Sequence, residues 1–402
     1  MRAIILGAAI TALLGSAALA KPVHPSKPAS APPEIHLDTH LDTPEHFGRE
    51  GWDITKRHTF SNDLTQVDYP RMVAGHLTGG FFAIYTPQGP LTPEGYARAR
   101  DAALVREVHI REMVAAHPDK FELAFKADDA QRIARSGKRF VFQSIENSYP
   151  MGEDLTLFET FYRLGVRLAG PVHFLNNQFA DSATDKPHWE GLSPLGRLWV
   201  KEANRLGVMI DASHASDQVF DQLLSLSKTP IILSHSGVKA VFDHPRNIDD
   251  ERLKALAASG GVIQINSVYL IGGIGGGNPY GQKAEAMEGM TPAEQKKAIA
   301  DYNAWEKTHP KPKRANFDLF MLAMLHAIKV AGVDHVGIGC DWDGGGGVEG
   351  MEDVADLPKI TRALKKAGYS DGDVAKIWGG NVLRVMRQVE AYRDSLKAKP
   401  AT

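Results

Sequence analysis

From Glu34 onward the chain alternates short, almost uninterrupted apolar runs with longer stretches of helical periodicity. The apolar runs are Ile35–Leu41, His76–Tyr85, Arg139–Ile145, Val166–His173, Val208–Ala212, Pro230–Leu233, Gly261–Ile265 and His335–Gly339. Several lack the polar alternation of a half-exposed strand, which is the pattern of strands covered on both faces. Between them lie helix signatures. Ser193 can cap a helix whose first position is Pro194, and Thr291-Pro292-Ala293-Glu294 has the form of a capping box. Strand and helix in strict alternation predict an α/β fold with a parallel sheet. An open doubly wound sheet would give the same alternation, but it gathers its site at one crevice. Here polar residues follow nearly every run, which favours a TIM-type (β/α)8 barrel, where all the strand ends meet on one face.

One stretch breaks the rhythm. After the seventh run an insertion of about 270–316 opens with the glycine-rich Gly272-Gly273-Ile274-Gly275-Gly276-Gly277. No Gly-Lys-Ser/Thr element follows, so the run reads as a hinge rather than a phosphate cradle. In a barrel the insertion would overhang the face that carries the strand ends, where it could act as a lid.

The residues at the run ends are of one chemical kind. Positions 36, 38, 40 and 42 share one side of an ideal strand, giving two His-x-Asp pairs, His36 with Asp38 and His40 with Asp42. The later pair is nearer the strand end and is chosen as the candidate. His173, His214 and His235 close three more runs, and Glu146 and Asp341 follow two others. A single such histidine is more often a satisfied interior residue. Several at successive strand ends, with carboxylates, match the nitrogen and oxygen ligands of a hydrolytic zinc site. A carboxylate such as Glu146 after a buried run is costly unless paired or coordinated, and its two oxygens can bridge two metal ions. Asp341 can shuttle a proton. Asp343 reads as a turn-former ahead of the glycines.

Charge and leader narrow the context. With 46 basic and 48 acidic residues interspersed in 402, there is no polycationic track for nucleic acid and no basic patch for an anionic membrane, so a small-molecule partner is expected. Residues 1–20 read as a signal peptide, with Arg2, an apolar run from Ala3 to Leu14, and a small-x-small cleavage site ending at Ala20. Residues 21–33, rich in Pro, Ala, Ser and Lys, read as a flexible tether, and 34–402 as one domain. The expectation is an exported, periplasmic or secreted protein without a stable membrane anchor. Its one cysteine, Cys340, rules out an internal disulfide and reads as a small buried hydrophobe.

Taken together, the motifs resemble the zinc dipeptidases of the renal, or membrane, dipeptidase type, peptidase family M19, within the amidohydrolase-like barrels. The resemblance covers essentially the whole mature chain. It rests on Asp38-Thr39-His40-Leu41-Asp42-Thr43-Pro44, on Gly191-Leu192-Ser193-Pro194-Leu195-Gly196 running to Asp211-Ala212-Ser213-His214, and on Ser234-His235-Ser236. His244-Pro245-Arg246-Asn247, His335 through Gly344, and Gly379-Gly380-Asn381 complete it. The resemblance implies two zinc ions per chain, with Glu146 as the bridge, His40 and Asp42 on one ion, and His214 and His235 on the other. It implies further that His173 contacts the scissile carbonyl, that Arg246 holds the substrate's terminal carboxylate, and that Asp341 relays the proton of a metal-bridging hydroxide. The substrate it implies is a dipeptide, including those with a carboxyl-terminal D-residue, and the assembly a homodimer. Asn147-Ser148 stand where the family usually has glycines, and His173 sits between Val172 and Phe174 in a less typical setting. The alternative enzyme is another binuclear amidohydrolase, acting on acylated amino acids, lactones or phosphotriesters. The alternative from a different class is a non-catalytic exported solute-binding protein.

Overall fold

The computed structural model describes residues 34–272, 278–281, 287–309 and 314–397, so the leader, the tether and most of the glycine run lie outside the described residues. Seven of the eight apolar runs contain a strand, and the eighth, Pro230–Leu233, overlaps the start of one that continues to Val238. These strands are β1 (Leu37–Leu41), β2 (Gly79–Ile84), β4 (Arg139–Ile145), β5 (Val166–Ala169), β6 (Met209–Ile210), β7 (Ile232–Val238), β9 (Val262–Ile265) and β10 (Val336–Ile338). Two short accessory strands, β3 (Phe121–Leu123) and β8 (Asn247–Ile248), pair with β4 and β7.

All these pairings are parallel. One ladder runs β1-β2-β4-β5-β6 and a second runs β7-β9-β10. Single parallel bridges join them at both seams, Asp211 with Ile232 and Leu41 with Trp342, so the pairing closes into a ring of eight strands. Side chains reinforce the second seam. Thr39 Oγ1 donates to Ile338 O at 3.2 Å, and Asp38 accepts from the Cys340 amide at 3.1 Å. The lone cysteine is thus fixed at the seam, fully buried as a small apolar residue.

Helices cover the outside because the strands are apolar on both faces. Pro194–Leu206 starts as the sequence predicts, with Ser193 Oγ accepting from the Gly196 amide at 2.9 Å, and it stops at Gly207, whose φ of 76° suits glycine alone without strain. The last helix, Asn381–Lys397, packs Val382, Val385, Met386 and Val389 into one cluster with Leu37, Phe81, Phe142, Leu168 and Ile232. Each such side chain contributes roughly 1.5–3 kcal/mol on burial.

The insertion forms a helix, Pro292–Thr308, with the capping box between Thr291 and Glu294 in place. It packs Ala298 and Ile299 against Leu64, and Asn303 Nδ2 donates to Ser61 O at 2.7 Å. Both partners lie in the segment that follows β1, so the insertion docks at the end of the ring where the strand C-termini converge. Among the described residues no helix is long and apolar enough to cross a membrane.

Candidate metal centre

The parallel ring places the eight sequence-predicted site residues on one face. His40 is in the last turn of β1 and Asp42 follows it, Glu146 follows β4, and His235 lies within β7. His173, His214 and Asp341 sit a few residues past β5, β6 and β10, and Arg246 just ahead of β8. The ideal alternation expected along β1 does not hold throughout, because its register against β2 slips between Asp38 and Leu41. The two His-x-Asp pairs separate accordingly. His36 stacks on Trp378 at 4.4 Å and Asp38 ties backbone amides, whereas His40 and Asp42 enter the cluster described next.

Four imidazoles converge on a single oxygen. The Nε2 atoms of His40, His173, His214 and His235 lie 3.6, 3.3, 3.1 and 3.4 Å from Glu146 Oε1. His40 Nε2 is also 3.3 Å from Asp42 Oδ2, and the His214 and His235 Nε2 atoms are 2.9 Å apart. Three overlapping sets of potential ligands result: His40, Glu146 and His235; Glu146, His173 and His214; and His40, Asp42 and Asp341. Distance alone does not separate His173 from the other three imidazoles. Exposure does, since its side chain keeps 13% of its surface while the others keep 1–3%.

The electrostatics of this cluster call for a cation. Burial, aided by Arg246, drives the His214 imidazole far down, and burial, then His40 and Arg246, does the same to His235. Burial, with Arg246, takes His173 to about 3, so all three are held neutral with nitrogen lone pairs available. Burial pushes Glu146 well up against the pull of His40, with Asp42 and Asp341 pushing the same way. It also takes Asp341 to about 7 against the pull of His40. Burial opposes charge on His40, but Asp42 and Glu146 outweigh it. Crowded carboxylates and bare imidazoles are mutually costly in a dry site and become favourable around metal ions. The bonding agrees. His40 Nε2, Asp42 Oδ1 and His214 Nδ1 are buried without a hydrogen-bond partner, an expensive state for polar atoms unless a ligand satisfies those facing the cluster.

Arg246 is a different kind of group. It is 3% exposed, its Nη2 donates to His235 O at 3.1 Å, and it lies over the Tyr269 ring at 5.2 Å. Among the described residues no carboxylate lies within ion-pair distance of it, and its Nε has no partner. A buried guanidinium in that state can receive a carboxylate in two parallel bonds.

Several supporting residues were not legible as such in the sequence. Asp211 Oδ1 accepts from the amides of Ser213 and Ser234, both at 2.9 Å, and its Oδ2 accepts from Ser234 Oγ. Ser234 Oγ in turn lies 2.8 Å from His235 Nδ1. The only signal was that both serines precede the histidines of consecutive strand units, which a parallel sheet makes neighbours. His214 and Asp341 adopt left-handed φ values of 68° and 67°, strain of the kind held at functional sites. Asp343, at 66°, accepts from Thr43 Oγ1 at 2.7 Å and from the Gln66 amide at 2.6 Å, which locks the turn expected there. Gly344 is required by the same turn, because any Cβ on it would collide with Asp42 Oδ2 and Asp341 Oδ1. Asn147 and Ser148 also earn their places. Asn147 Oδ1 accepts from Asn177 Nδ2 at 2.9 Å, and Ser148 Oγ donates to Gly170 O at 2.8 Å and accepts from Trp199 Nε1 at 3.0 Å.

Comparison with known proteins finds relatives that span most of the chain. Dipeptidase tcpJ of Claviceps purpurea is 32% identical over 338 residues, which are 82% of this chain and 71% of that protein. The probable dipeptidase PvdM from Pseudomonas aeruginosa is 30% identical with a TM-score of 0.76, covering 89% of this chain and 96% of its own. A metallopeptidase described as dipeptidase AC is 25% identical with a TM-score of 0.71, over 89% of this chain and 99% of its own. Residues 33–400 match the family model Membrane dipeptidase (Peptidase family M19), and the chain belongs to that family.

Proposed function

We propose that this chain is a zinc-dependent dipeptidase that hydrolyses the peptide bond of dipeptides with a free carboxyl terminus, D-residues at that end included. The observation that carries the reading is the convergence of four histidine Nε2 atoms on Glu146 Oε1 beside a buried arginine that, among the described residues, has no carboxylate partner. In this reading His40 and Asp42 would hold one zinc ion, His214 and His235 would hold a second, and Glu146 would serve both. When bound, such a pair lowers the pKa of a water molecule and polarises the carbonyl it attacks.

The protein's own groups do the rest. Arg246 fixes the substrate's carboxylate and so sets which bond faces the centre. His173, the most exposed of the four imidazoles, donates from Nε2 to the carbonyl oxygen as negative charge develops there. Asp341, within ligand distance of His40 and Asp42, takes a proton from water and returns it to the leaving amine. Export after cleavage near Ala20 and homodimer formation belong to the same reading. Amino-terminal sequencing of secreted protein should start at Lys21, and light scattering should report twice the chain mass.

The decisive experiment measures hydrolysis of L,L and L,D dipeptides, free and amidated, with metal counted on the same purified sample before and after chelation. Two zinc ions per chain, chelator-sensitive release of amino acids, and poor rates on amidated substrates are expected. Bound metal without turnover of any dipeptide would overturn the reading, and equal rates on free and amidated substrates would remove Arg246 from its role.

A further inference from the structure

Phe174 directly follows His173 and is 45% exposed, with Leu175 after it at 52%. Two consecutive large apolar side chains open to water beside a buried polar centre are unfavourable unless a ligand covers them in use. The Phe174 ring reaches the centre itself. Its centroid is 3.9 Å from that of His173 and 5.0 Å from that of His214, to which it stands edge-on. Tyr85, which follows β2, meets the same His173 ring edge-on at 5.1 Å. Two aromatic rings thus flank the imidazole, and that of Phe174 is nearly half open to solvent. The backbone beneath it is held. Thr184 Oγ1 donates to Phe174 O at 2.8 Å and Ser182 Oγ to His173 O at 2.5 Å. Asn176 accepts from the Ser182 amide through Oδ1 at 2.7 Å and from Gln88 Nε2 through its carbonyl at 2.8 Å, which ties the loop after β5 to the loop after β2. An aromatic surface fixed in this way is organised for contact before a ligand arrives.

In the dipeptidase reading Arg246, between β7 and β8, takes the substrate's carboxylate, and His173, past β5, meets the carbonyl oxygen. A dipeptide held at both points runs from the β7 side of the ring toward the β5 side. Its carboxyl-terminal residue lies between the two groups. Its amino-terminal residue, which owns the carbonyl, continues past His173 to where Phe174 and Tyr85 stand. We infer that Phe174 is a specificity-determining residue that packs against the side chain of the substrate's amino-terminal residue, and that this side chain is large and apolar, an assignment that rests on the dipeptidase reading. An exposed ring gains by contact in proportion to the apolar area it removes from water, so a methyl group covers too little of it. A carboxylate gains nothing there, because the face of the ring carries the negative part of its quadrupole.

The test compares kcat/KM of the metal-loaded full chain on two series, L-X-L-Ala and L-Ala-L-X, with Ala, Leu, Phe and Glu as X. Wild type is set beside Phe174→Ala and Phe174→Leu, exposed substitutions that should fold. In the first series wild type should favour Leu and Phe over Ala by about tenfold, the order of effect of covering part of a large apolar side chain, and Glu should be poorest. Phe174→Ala should narrow the preference to about twofold, and Phe174→Leu should keep most of it. Preferences within the second series should not follow the substitution. A ratio between substrates is the proper readout, because general damage to the centre lowers both members alike. Equal rates across the first series in wild type, a preference untouched by Phe174→Ala, or a change confined to the second series would each overturn the inference and leave the dipeptidase reading standing. Failure to cleave any dipeptide would remove both.

Discussion

Replacing Asp211 by asparagine should damage the metal centre from outside it. A carboxylate only accepts hydrogen bonds, so the Ser234 hydroxyl must direct its proton at Asp211 Oδ2. Ser234 Oγ is then free to accept from His235 Nδ1–H at 2.8 Å, which leaves His235 Nε2 bare toward Glu146, 3.4 Å away. In the asparagine variant the side-chain oxygen can keep both backbone amides, while the NH2 faces Ser234 Oγ. The hydroxyl then turns its proton to its nearer acceptor, His235 Nδ1 at 2.8 Å rather than Ser213 Oγ at 3.5 Å, the tautomer reverses, and a proton stands on Nε2 where a lone pair is needed. No hydrogen bond is lost in the bare fold, but those to residue 211 lose their charge assistance, a cost of roughly 1–2 kcal/mol of stability. The larger effect should be on metal, since loss of an outer partner of a ligating histidine weakens affinity about 10–100-fold. Urea denaturation of the chelated protein measures the first quantity, and competition with a chromophoric chelator measures the second. A variant that loses stability as stated yet binds metal within about twofold of wild type would refute the tautomer argument. Ser234→Ala should act in the same direction, and the double variant should cost less than the sum of the two because all three residues form one chain.

Glu146→Gln should lower metal content and turnover together, because one oxygen of the group that four imidazoles face becomes an NH2; a variant holding two ions at full rate would refute its bridging role. Gly344→Ala should deplete metal with little change in helix content, since the added methyl displaces the Asp42 and Asp341 carboxylates rather than the core; unchanged metal stoichiometry would contradict it. His58 gives a pH prediction. Burial lowers its pKa, but Asp63 more than offsets this and holds it raised, so the stabilisation is complete at acidic pH below the unfolded value and fades as pH rises through the folded one. Asp63, which burial raises but His58 and Thr65 hold down, contributes above its unfolded value and loses that contribution as pH falls through its folded one. The stability gap between wild type and His58→Gln should therefore be wider at pH 5 than at pH 9, and an equal gap by urea denaturation would disprove the pairing.

The order of elements was open to a reader of the sequence because it follows from local physics. Strands buried on both faces must be continuously apolar, and helix starts announce themselves through Ser193-Pro194 and Thr291-Pro292-Ala293-Glu294. The candidate ligands were legible for a related reason: a polar residue that ends a buried run has to be explained, and His40, Glu146, His214 and His235 recur at such ends. What the sequence could not supply was anything carried by contacts between distant segments. The slip in β1 that parts His36 from His40, the ring closed by single bridges at Asp211 and Leu41, and the left-handed turns at His214 and Asp341 are settled only when strands meet. The Asp211-Ser234-His235 chain belongs to the same class. Periodicity encodes which face of an element is apolar, since that depends on neighbours a few residues away. The partner of a given hydroxyl, indole or guanidinium depends on packing across hundreds of residues, so only the tertiary structure decides it.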